Sequence, residues 1–195
     1  MSSRDSILAA VKKNQPEEKP LPVIENFIPF AGDNLSKFKE VLTAIGGEAV
    51  EANSMEDVIK HLQIEFPSAK RIIAVQDLFP GYALHYTTTG EPHKLEDVDI
   101  AIIPAHFGVA ENGSVWVTED MIVERAIPFI CENLVVLVDR NSFLPTMHHA
   151  YDYIADRDYG FSTFIAGPSK TADIEQSLVL GAHGPKTMTV FLMTA

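Results

Sequence analysis

The residues of this sequence whose types and spacing could do chemistry lie mostly in its last third, in FIAGPSKTADIE and the following LVLGAHGPK. The first reads as strand, loop and helix. Its loop, Gly167-Pro168-Ser169-Lys170-Thr171, has the glycine and small residues that let a ligand approach the backbone. Free amides at a helix start favour anions, and Lys170 adds a charge, so a carboxylate or phosphate suits such a loop. Asp173, with Gln176 three residues on, has capping-box spacing, although Asp stands where Ser or Thr is usual. Asp173, Glu175 and Gly184, with Asn112, Gly113 and Ser114 earlier in the chain, complete the candidate ligand contacts. The same residues would also cap a helix and turn a corner with no ligand, and the pattern alone favours that plainer role. The GxxxxGK[ST] spacing of a Walker loop is absent.

His183, inside AHGP, can donate to a bound carboxylate or act as acid or base near neutral pH; it can equally fix the turn before the last strand. His148 and His149 are adjacent, so on a strand they point to opposite faces and on a helix they diverge by about 100°. With these histidines, Glu111, Asp173 and Glu175 scattered, no ligand spacing predicts a metal site.

The elements that must hold these residues are legible in outline. Ile7, Leu8 and Val11 give the first segment one apolar stripe at helical spacing, with Ser3 or Asp5 to cap it, and predict a short docking helix. Pro16, Pro20, Pro22 and Pro29 then predict an extended surface linker over 14–31. Leu35, Phe38, Val41, Leu42 and Ile45 recur at three and four and predict a helix stopped by Gly46-Gly47. A second helix is expected over 54–65, where Ser54 and Asp57 have capping-box spacing. RIIAV (71–75), DIAII (99–103) and LVVLV (134–138) are apolar on successive positions, as strands buried on both faces are. Asn112-Gly113 is a turn signal before the strand former Val115-Trp116-Val117. Strands over 161–166 and 187–192 flank a loop and a short helix over 173–180. Trp116 and Phe191-Leu192-Met193 read as core. The expected architecture is a single α/β domain over 32–195, with a mostly parallel sheet flanked by helices, after an N-terminal helix and proline-rich linker over 1–31.

Composition narrows the function. The 195 residues, 46% hydrophobic and 22% charged, are those of a globular protein able to bury one sizeable core. Twenty-seven acidic against fifteen basic residues leave a net charge of -12, which argues against nucleic acid and membrane surfaces as partners. The lone Cys131 cannot form an internal disulfide, and iron-sulfur clusters take several thiolates, so any such centre is expected on a partner. The apolar run at 7–11 is short of a secretory core, and no stretch approaches the length of a membrane span, so a cytoplasmic protein is expected.

GPSKTADIE (167–175) and LGAHGPK (180–186) together are similar to the C-terminal signature of the lactate utilization protein C family, whose shared unit is the LUD domain. The resemblance is good from about Asp99 onward and looser before it. It implies a fold like that of ribose-5-phosphate isomerase and CoA transferases. It also implies a role in L-lactate oxidation beside partner proteins, at least one of them carrying iron-sulfur clusters, with no cofactor on this chain. Where LUD domains commonly have an acidic residue followed by Thr-Gly-Thr, this sequence has Glu111-Asn112-Gly113-Ser114, which keeps only the second hydroxyl. Glu-Asn-Gly also resembles the short motif in which one class of CoA transferases places its nucleophilic glutamate, making Glu111 a candidate nucleophile. Those enzymes use a much longer chain or a second subunit, and Asn-Gly is also a routine turn. Three functions follow: a non-redox or accessory subunit of an iron-sulfur-dependent lactate oxidation system; an enzyme binding a small anion, acyl-CoA or sugar phosphate through Glu111; or a structural docking module. A homo-oligomeric state stays open.

Overall fold

Alternate residues of LVVLV face opposite ways: Leu134, Val136 and Val138 enter one apolar cluster, and Val135 and Leu137 another. A strand with both faces buried needs cover on each side, and the rest of the fold supplies it. In the computed structural model, which describes residues 2–20, 30, 32–87, 90–155, 157–171 and 179–194, the elements run as follows. They are α1 (Ser3–Lys13), α2 (Asn34–Ala44), β1 (Glu48–Ala52), α3 (Met55–Glu65), β2 (Ile72–Ala74), β3 (Leu84–His85), a 3-10 turn (Pro92–Leu95), β4 (Ile100–Pro104), β5 (Phe107–Val109) and β6 (Ser114–Thr118). After them come α4 (Glu119–Ile122), α5 (Ile127–Ile130), β7 (Asn133–Asp139), β8 (Phe143–Leu144), α6 (Met147–Ile154), β9 (Ser162–Ile165), β10 (Lys170–Thr171), β11 (Val179–Leu180) and β12 (Thr187–Met193).

The main sheet has six strands in the order β1-β12-β7-β4-β2-β3, with each neighbouring pair parallel. This is the α/β architecture expected. On one face α3 packs Val58 and Leu62 against Ile100, Ile102, Val135, Leu137 and Phe191. On the other, α2 brings Phe38 and Leu42, and a second, four-stranded sheet in the order β8-β5-β6-β9 brings Val115, Val117 and Ile165. α6 covers the far side of that second sheet, packing Ala150 and Ile154 on Phe107, Val109 and Trp116.

Several expectations are corrected. α1 is capped by Ser2, whose Oγ accepts from the Asp5 amide while Asp5 reaches back to the Ser2 amide; neither Ser3 nor Asp5 is the cap residue. It docks on nothing among the described residues, for Ile7, Leu8 and Val11 are all more than half exposed. The linker is exposed over 14–20, and 21–29 and 31 lie outside the described residues. The helix expected over 173–180 is not present at its end: Val179 and Leu180 pair antiparallel with Thr171 and Lys170, and 173–178 lie outside the described residues. Gly181 therefore follows a strand and not a helix.

The start of β4 is pinned electrostatically. Asp99 accepts from the amides of Lys70 and Arg71, at 2.7 Å each, at the point where the chain enters β2. Those amides, Arg71 first, hold the Asp99 carboxyl below its ordinary value. A lowered folded pKa contributes stability above the unfolded value, and that stability is lost as pH falls through the folded one. Asp99→Asn should cost about 1 kcal/mol at neutral pH, allowing for solvent screening. Urea unfolding should show the difference from wild type at pH 7 and its disappearance in acid.

Candidate functional site

Both glycine motifs meet the end of one helix. α2 stops where Gly46 takes a φ of +86° and the amides of Gly46 and Gly47 bond back to Thr43 and Leu42 carbonyls. Gly113, at φ +69°, lies so near that a Cβ there would stand 3.0 Å from the Leu42 amide nitrogen. Gly167, at φ +70°, would place one 3.0 Å from the Ile45 carbonyl oxygen. The Lys170 ammonium bonds to that same carbonyl, where the helix dipole favours a cation. The residues expected to cradle an anion thus hold a helix end, and the positive charge of Lys170 is directed there.

The loop is closed by its own pairing. The Ser169 amide donates to Pro185 O at 2.9 Å, Gly181 N–H donates to Ser169 O at 3.0 Å, and Thr171 Oγ1 bonds both the amide and the carbonyl of Val179. Gly184 lies against Ser169, and Pro168 is buried. Asp173 and Glu175 fall outside the described residues.

Glu111 is exposed, and its Oε2 accepts the Met147 amide at 2.8 Å in the first turn of α6. Asn112 Oδ1 accepts from both the amide and the hydroxyl of Ser114, at 3.0 and 2.7 Å, which makes the hairpin self-contained and uses the hydroxyl of the buried Ser114.

His183 stands elsewhere, on a cavity of about 490 Å³ at the amino ends of β4, β7 and β12. Glu96, Asp97, Asp99 and Glu132 line it against Lys186, so its field favours cations over anions. Asp97 pairs with Arg71, and Glu132 with Lys186 at 2.6 Å. Cys131 also borders it, but burial pushes the thiol up to about 12, so it stays protonated. Iodoacetamide at pH 8 should leave native Cys131 unmodified and label it fully once denaturant unfolds the chain; rapid native labelling would contradict this burial.

Sequence reasoning missed a third group, at the opposite end of the strands. His106 follows β4 by two residues, and its Nε2 lies 2.7 Å from Thr118 Oγ1, whose hydroxyl bonds in turn to Asp120. An ionised Asp120 can only accept, so Thr118 gives it its one proton and must accept from His106. That fixes the Nε2–H tautomer and leaves Nδ1 with its lone pair. The ring lies 4.7 Å from that of Trp116. Burial holds His106 below its ordinary value against the pull of Asp120, and Arg157 lowers it further, so the imidazole is neutral near pH 7. Trp116, Glu119, Arg157, Asp158 and Tyr159 complete a cleft of about 240 Å³. The available signal was position: ligands of open α/β sheets sit beyond the carboxyl ends of the strands.

Comparison with known proteins gives a consistent family. Residues 92–193 match the family model of the LUD domain. The lactate utilization protein C of Anoxybacillus flavithermus is 32% identical over 100 residues, 51% of this chain and 46% of that protein. That of Oceanobacillus iheyensis is 30% identical over 104 residues, 50% and 45% respectively. The Bacillus subtilis protein of the same name is 25% identical over 191 residues, 84% of this chain and 80% of that one. The alignments thus span about half the length of the first two relatives. Among solved structures, a DUF162 family protein from Deinococcus radiodurans superposes with a TM-score of 0.57 at 17% identity, covering 82% of this chain and 96% of that one, a likeness of fold.

Proposed function

Because the chain belongs to the LUD domain family, we propose that it serves L-lactate utilization as a non-redox accessory protein beside partners that carry iron-sulfur clusters. The observation that carries this reading is the family match over residues 92–193, together with the name lactate utilization protein C that the similar curated proteins share. Ligand chemistry supports placing the clusters on partners: a cluster takes several thiolates, and these residues include one cysteine, buried and protonated. A single unpaired thiol also suits the reducing cytoplasm, where the proposal locates the protein. Among the described residues no helix is long and apolar enough to cross a membrane.

The test is biochemical. Extracts of a strain lacking the chain should lose L-lactate-dependent dye reduction and regain it when the purified protein is added back. A tagged copy should also retain cysteine-rich, iron-containing proteins. Undiminished dye reduction in the depleted extract would refute the proposal.

A further inference from the structure

We propose that the cleft around His106 binds a small hydroxycarboxylate, Arg157 taking its carboxylate and His106 Nδ1 accepting a hydrogen bond from its hydroxyl. The need for one anionic and one protic group comes from the cleft itself; the choice of a 2-hydroxy acid rests on the lactate reading above.

The lining sorts by what each group is already doing. Glu119 is occupied, accepting the Gly160 amide at 2.8 Å and pairing with Arg125 at 3.1 Å. Asp120 is turned to the Thr118 hydroxyl. Asp158 and Arg157 are both exposed, so solvent screens both charges, and with three acids in the lining a carboxylate must be held by the hydrogen-bond geometry of the guanidinium and not by the field of the cleft. Arg157 lies 4.2 Å over the Tyr153 ring, a contact that stacks the guanidinium without consuming its N–H fork, the geometry suited to a carboxylate. Trp116 is almost wholly buried behind the imidazole and Tyr159 meets it edge-on, so the histidine and its wall are held by packing. The order His106, Thr118, Asp120 is a base oriented by a second and third group. At about 240 Å³ the cleft is smaller than the roughly 300–1,000 Å³ of pockets for drug-sized ligands, which selects a compact molecule.

A strained turn stands beside it. Val123, a β-branched residue, has φ +61° and ψ -55°, and the Glu124 amide bonds back to Ile122 O at 2.6 Å, a γ-turn of the rare strained hand. The hollow it borders shares Glu119 and Asp120 with the His106 cleft. Strain of this kind collects at functional sites, where the surrounding structure holds it in place.

Calorimetric titration of the full chain tests the proposal, with L-lactate, propionate (no hydroxyl) and lactamide (no carboxylate) as ligands. L-lactate should bind saturably and at least about tenfold more tightly than either analogue, and Arg157→Gln should erase the preference for L-lactate over lactamide. Thr118 is a positioning residue: Thr118→Val should release the imidazole into both tautomers in its 15N spectrum and weaken L-lactate binding, and Thr118→Ser should restore both. No saturable L-lactate binding by the wild type, or unchanged binding by Arg157→Gln, overturns the proposal. The two readings fail separately. A lactate-growth defect without L-lactate binding removes this site and leaves the cellular role, whereas binding without any growth defect removes the role and leaves the site.

Discussion

Gly167→Ala is expected to destabilise the protein by about 3 kcal/mol, whereas Gly81→Ala should cost only about 1–2 kcal/mol. Both glycines hold a left-handed backbone, at φ +70° and +78°, and pay the same penalty of roughly 1–2 kcal/mol for a Cβ in that region. They differ in what the Cβ meets. At Gly81 nothing lies within 4 Å, and at Gly167 the Ile45 carbonyl oxygen stands at 3.0 Å with the Ile45 side chain just beyond. Backbone at a helix end cannot give way as a flexible side chain does, and such overpacking costs about 1–3 kcal/mol more. Urea melts of the two variants read the difference directly. Equal losses would mean that the GPSKT loop does not press on α2.

Trp116→Ala should cost about 3–5 kcal/mol, and Trp116→Phe clearly less. The indole is 2% exposed, stacked at 5.5 Å on Phe107 and edge-on to Tyr159 at 5.7 Å. It joins β6 to the layer beneath α6, so truncation opens a cavity between sheet and helix. A loss under 1 kcal/mol would show that this layer is not tightly packed.

How much of this was legible follows from what each residue announces. β2, β4 and β7 could be read because burial on both faces leaves apolar residues on successive positions. β1 could not: Glu-Ala-Val-Glu-Ala carries two charges, and it lies at the sheet edge beside β12 alone. β3 and β8 are two residues each, too short for any period to register. β5 contains Gly108, set against the rings of Phe143 and Phe38, and a glycine argues against a strand unless its cover is known. The second sheet was therefore hidden as a sheet, although its Asn112-Gly113 turn and the strands that became β6 and β9 were not.

The motif glycines show the same division. Gly113 and Gly167 signal that something comes close to the backbone. Their types do not say whether it is a ligand or another part of the chain, and here it is the end of α2. His106 was illegible for the opposite reason. Nothing marks it in the sequence, and its relation to Thr118 and Asp120 appears only once β5 and β6 pair with Phe107 opposite Trp116. Capping was easier, being local: Ser54 accepts from Asp57 N–H at 3.2 Å as its spacing implied.

The proposed role in lactate utilization is most directly tested by growth. Deleting the gene in its own host should abolish growth on L-lactate as sole carbon source while leaving growth on glucose unchanged, and a plasmid-borne copy should restore it. Normal growth of the deletion strain on L-lactate would contradict the account.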